Sequence, residues 1–114
     1  MNWYIAKIVF RICNEEAQRL QFDEHIRLIS ADTFDEAFLK ARIIGIREED
    51  AFVNARNKPV KWEFINVAEL YEIDELKDGS EIYSSITEKE EASNYVHSVH
   101  QRAIFMQTKQ RPLF

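Results

Sequence analysis

The sequence predicts an α+β domain: a mostly antiparallel sheet of about five strands with two helices, in the order β-β-α-β-β-β-α. Three observations lead there. Long stretches near the start and in the middle of the chain alternate side-chain character with a period of two. Two Thr-x-x-Glu patterns, Thr33 with Glu36 and Thr87 with Glu90, each precede apolar residues of helical period. The resulting element order packs helices on an antiparallel sheet.

The first strand is expected from Trp3 to Cys13. Its even positions Tyr4, Ala6, Ile8, Phe10 and Ile12 are all apolar, and its odd positions Trp3, Ile5, Lys7, Val9 and Arg11 mix apolar with basic. One face therefore packs inward and the other is only partly wet. After the polar run 14–19, Leu20 to Ala31 reads as a second strand with Leu20, Phe22, Ile26 and Leu28 on one side. Glu24 falls on that apolar side; a bulge near Asp23 is the expected reason, since a buried unpaired charge is costly, and a partner for the carboxylate is the alternative.

The first helix starts at the Thr33–Glu36 box, runs along Phe34, Ala37, Phe38, Ala41 and Ile44, and is expected to end at Gly45 in a left-handed cap. Ala51–Asn54 and Val60–Tyr71 read as strands around a turn at 55–59, with Pro59 suited to a strand's first residue. In the longer strand Trp62 and Phe64 share one face, while Glu63, Ile65 and Val67 share the other. Asp78-Gly79 marks a tight turn with positive φ at the glycine, leading to a short strand 82–86. The Thr87–Glu90 box then opens a second helix along Ala92, Tyr95, Val96, Val99, Ala103 and Met106. Residues 1–87 form the expected core, and 88–114 a helix and tail packed on the same domain.

At 114 residues, 46% hydrophobic and 12% aromatic, the chain fits one globular domain with little room for a flexible linker. A single cysteine, a start without a signal-peptide pattern and the absence of an apolar stretch of about 20 residues imply a cytoplasmic protein, not a membrane one. The net charge of −5 is uneven. Residues 72–91 hold eight acids against two bases, whereas from Ala92 onward there is no acid and three bases. Sparse positive charge argues against nucleic acid as a partner.

Trp3-Tyr4-x-Ala6-Lys7, Phe22-Asp23-Glu24, Glu36-Ala37 with Lys40-Ala41, Val60-x-Trp62-x-Phe64-x-x-Val67 and Asp78-Gly79-x-Glu81-Ile82 together resemble an uncharacterised bacterial family, domain of unknown function 4288, over roughly residues 3–87. The resemblance implies a small cytosolic bacterial domain and brings no activity, substrate or cofactor.

No catalytic set stands out. Only two glycines make a phosphate-cradling loop nearly impossible. His97 and His100 have a zinc-compatible spacing but no third ligand, so no metal or other cofactor is expected. His25 reads as a surface histidine and Cys13 as a small packing residue. The surplus apolar area is the mixed sheet face, with Trp3, Ile5, Lys7, Val9, Glu63, Ile65 and Val67 as the interface or ligand candidates. It leads to a non-enzymatic, self-associating interaction module, a homodimer or a protein complex. An acidic inhibitor or immunity-type protein, using Glu72, Asp74, Glu75, Asp78 and Glu81 against a basic partner, is a second reading. A small-molecule site or enzyme near Trp3, Lys7 and Glu63 is a third.

Overall fold

The computed structural model describes residues 1–109. Six elements are formed: β1 (Asn2–Asn14), β2 (Gln21–Ala31), α1 (Phe34–Arg47), β3 (Asp50–Val53), β4 (Pro59–Ile73) and α2 (Ala92–Lys109). The chain divides into two compact units, Met1–Tyr83 and the segment from Ser84 onward. The first is a four-stranded antiparallel sheet in the order β2-β1-β4-β3, with α1 on one face. The second contains α2, an 18-residue helix. The expected strand at 82–86 is not formed, which leaves four strands and the order β-β-α-β-β-α. The tail beyond Lys109, with Leu113 and Phe114, lies outside the described residues.

Alternation along β1 sets the core. Tyr4, Ala6, Ile8 and Phe10 are buried beneath α1 with Ile29 and Ala31 of β2 and Ala37 and Ala41 of the helix. Burying a large apolar side chain contributes about 1.5–3 kcal/mol, so Tyr4, Ile8, Phe10 and Ile29, the largest fully buried ones, dominate this layer. The helix starts as the sequence predicts: Thr33 Oγ1 accepts from the Glu36 amide at 3.1 Å, and the Glu36 carboxylate accepts from the Asp32 amide at 3.3 Å.

Its end differs. α1 continues to Arg47 and is capped at Glu48 in the right-handed region, so Gly45 is an interior residue. Ala37, Ala41 and Gly45, four residues apart, form the row that faces the sheet. A Cβ at Gly45 would stand 2.4 Å from the Phe64 ring, so the glycine is there for close approach to β4. The second predicted box also fails: α2 begins at Ala92, with the Tyr95 amide donating to the Glu91 carbonyl.

β1 and β2 pair without interruption from Asn2 opposite Ala31 to Ile12 opposite Gln21. No bulge exists near Asp23. The irregularities are in β4, where Ile65 and Ala68 are left without a partner on β1. Each insertion reverses the alternation. Trp62, Phe64, Val67 and Leu70, spaced two and then three apart, consequently all pack against the helix-side core. The β3–β4 hairpin turns at Asn57, which has φ of 65°, and Asn54 Oδ1 accepts from the Arg56 and Lys58 amides. Gly79 takes φ of 84° in the turn closed by the Ser80 amide on the Lys77 carbonyl, as the Asp-Gly pair predicts.

Gly45→Ala is expected to lower the urea midpoint of unfolding. Crowding the Phe64 ring costs roughly 1–3 kcal/mol, on balance more than the ~1 kcal/mol alanine adds to helix propensity. A raised midpoint would mean that β4 and α1 are not in close contact there.

Candidate functional site

The sheet face opposite α1 carries the side chains proposed from sequence, in a different grouping. Trp3, Ile5, Lys7 and Val9 do share it, opposite Ser30, Leu28, Ile26 and Glu24 of β2. Val67 leaves the group, because the bulge at Ile65 turns it to the helix side. Ile65 sits at one of those bulges. Glu63 lies opposite Arg11 and pairs with Lys61 at 3.6 Å, so it does not join Lys7.

The Lys7 ammonium instead sits between two carboxylates, 3.1 Å from Glu24, diagonal to it on β2, and 2.9 Å from Glu69, directly opposite on β4. Glu24 is therefore explained by a partner, not a bulge: antiparallel register brings it diagonally within reach of a cation on the central strand. Tyr71 donates its hydroxyl to Glu69 at 2.8 Å. The chain returns over this end of the face at Tyr83, whose ring lies 5.9 Å from Tyr71 and 6.0 Å from the Lys7 ammonium. Ile5, opposite Tyr71 and Leu28, is only 3% exposed.

These contacts set the charges. Hydrogen bonds to Glu69 and then Glu24 hold the Lys7 ammonium protonated well above the ordinary lysine range. Lys7, and next the Tyr71 hydroxyl, keep the Glu69 carboxyl ionised below its usual value. Burial, reinforced by Glu69, pushes the Tyr71 phenol up to about 12. A lysine so held is no nucleophile at neutral pH.

A second polar group occupies the helix side of the sheet, past the end of α1. Asp23 Oδ2 accepts from Trp62 Nε1 at 3.0 Å and from His25 Nε2 at 2.8 Å. Arg27 Nη2 lies 3.2 Å from His25 Nδ1 and donates to Glu48 at 3.0 Å. These bonds fit the histidine tautomer protonated at Nε2. The Trp62 bond above all, and His25 after it, lower the Asp23 carboxyl. His25 is half-buried against Phe10, with ring centroids 4.8 Å apart, and so is only partly at the surface. Both its ring nitrogens are engaged, so neither is free to take a substrate's proton. Trp62 also stacks on Phe52 at 5.9 Å.

Glu72, Asp74, Glu75, Asp78 and Glu81 are all exposed, with Lys77 against Glu75 at 3.1 Å. His97 and His100 are exposed on α2. Among the described residues no three His, Cys, Asp or Glu side chains converge as a metal would require. Cys13 is a half-buried free thiol in a shallow pocket with Arg11, Asn14 and Arg19. Among the described residues no helix is long and apolar enough to cross a membrane.

Sequence reasoning missed Glu69, Tyr71 and Tyr83, and the Asp23–His25–Trp62 group. The misplaced charge of Glu24 was the one visible signal; a hairpin register placing it beside Lys7 would have explained it. A family model described as Domain of unknown function (DUF4288) matches residues 3–84, which takes in both clusters' strand residues. No curated protein and no solved structure matches the chain.

The contribution of Glu69 and Asp23 to stability is present above the free-carboxylate range near pH 4 and lost as pH falls through their lowered values. That of Tyr71 and Lys7 is present below about pH 10 and lost as pH rises through their raised ones. Urea midpoints are thus expected to be flat near neutrality and to decline below about pH 4 and above about pH 10. Tyr71→Phe should flatten the alkaline decline between about 10 and 12, and an unchanged profile would remove Tyr71 from the account.

Proposed function

The chain belongs to the DUF4288 family, and from that premise we propose that it is a self-associating, non-enzymatic interaction module of the bacterial cytoplasm. The observation that carries this reading is the open sheet face. Around the ion-paired Lys7–Glu24–Glu69 cluster, Trp3, Phe22, Ile26 and Leu28 are 37–55% exposed. Apolar side chains grouped on one face, with polar groups already satisfied, suit a contact with another protein surface. The ionisable groups bind one another, which favours a contact over a reaction. The lone thiol of Cys13 suits a reducing compartment.

Sedimentation velocity on the full chain from about 1 to 100 µM should give an average mass rising toward that of two chains. Leu28→Glu, a change at an exposed position, should weaken association about tenfold or more without altering the circular dichroism spectrum. A single-chain mass throughout the range removes the reading.

A further inference from the structure

We propose that a second copy of this chain adds to the sheet along the free edge of β2, antiparallel and centred on His25, so that two four-stranded sheets join as one of eight. This rests on the self-association proposed above and specifies its contact. The two ends of the sheet are unlike. At one, β3 is four residues long, and β4 beyond it carries both bulges and has its Phe64 amide already bound by Glu49. Short strands and bulges blunt an edge. At the other, β2 is eleven residues in unbroken register, without proline, glycine or bulge.

The edge also has a stop. Lys40 of α1 donates to the Ser30 carbonyl, so an added strand can run only from Gln21 to Ile29. A carbonyl turned outward at Ser30 implies, by the alternation of antiparallel pairing, that Phe22, Glu24, Ile26 and Leu28 also point their amides and carbonyls away from β1. A two-fold arrangement over 21–29 passes through His25 and sets Asp23 of each copy opposite Arg27 of the other, and Phe22 opposite Leu28. Moving the centre to Ile26 sets His25 against Arg27 and Asp23 against Ile29; moving it to Glu24 opposes two glutamates. Only the His25 centre sets Asp23 against Arg27 and Phe22 against Leu28 together, with Glu24 then facing Ile26. The groups it needs are free: Asp23 uses Oδ2 for both its bonds and Arg27 uses Nη2 for both of its own, leaving Oδ1 and Nη1 for the other copy.

The test is sedimentation of full-length variants, alone and mixed. Arg27→Asp opposes two aspartates at each end of the contact, and Asp23→Lys opposes lysine to arginine; each should weaken association about tenfold or more. Mixing the two variants re-forms both charge pairs and should restore association to near that of the natural chain. Ile26→Pro removes an outward amide that the single chain does not use and should give a folded, non-associating protein, which keeps the test decisive if Asp23→Lys fails to fold. A natural chain that stays single at every concentration overturns self-association and this contact together. Association that survives Arg27→Asp and Ile26→Pro leaves self-association standing and overturns the β2 edge, and loss in both charge variants without recovery on mixing overturns the His25-centred register.

Discussion

Between Met1 and Tyr83 the chain has one helix and a sheet with two faces, and that mismatch governs the rest of the unit. A four-stranded sheet with apolar side chains on both sides needs cover on both. α1 covers one with a row of small residues, Ala37, Ala41 and Gly45, that lets it settle close to Ile8 and Phe64. On the other face the central strand carries Lys7, an ammonium neutralised by the strands on either side, and Tyr83 closes over Tyr71 and Ile5's neighbourhood. What is left exposed, chiefly along β2, is the part of that face furthest from this cover.

The bulges of β4 serve the same constraint. A regular strand would have sent Val67 to the open face and left a gap under the helix; two inserted residues keep Val67 and Leu70 inside. The cost falls on the ladder, which is irregular where β4 has no outer neighbour. β2 has no such interruption, because its helix-side residues Asp23, His25 and Arg27 are polar and bind one another in place of packing deeply. The two edges of one sheet thereby acquire different characters from the demands of a single helix.

Both polar clusters join strands. Lys7 ties β1 to β2 and β4, and Asp23 ties β2 to β4 through Trp62, passing over Phe10 on the strand between. Charged hydrogen bonds of this kind are stronger than neutral ones when partly sheltered. Lys7, Asp23 and Glu69 are held on the ionisation side that suits their partners, the arrangement of a brace and not of an acid–base pair tuned apart.

Much of this was legible in the residues. Alternation along β1, the Thr33–Glu36 box, Pro59 at a strand start and the Asp78-Gly79 turn are local matters of period, capping and backbone conformation, and all stand in the structure. The strand expected at 82–86 had composition in its favour and no neighbour to pair with. Thr87 with Glu90 had the right side chains for a helix start that comes only at Ala92. Gly45 looks the same in sequence whether it ends a helix or lies under a phenyl ring. The sequence by itself determined the class of fold, the inward face of β1 and the absence of a recognisable catalytic pattern, since these depend on spacing within one element. Only the tertiary structure decided which carboxylates meet Lys7, which face takes Val67 and which edge stays open. Register and bulges are relations between strands distant in the chain, and one inserted residue is enough to exchange the two sides of a sheet.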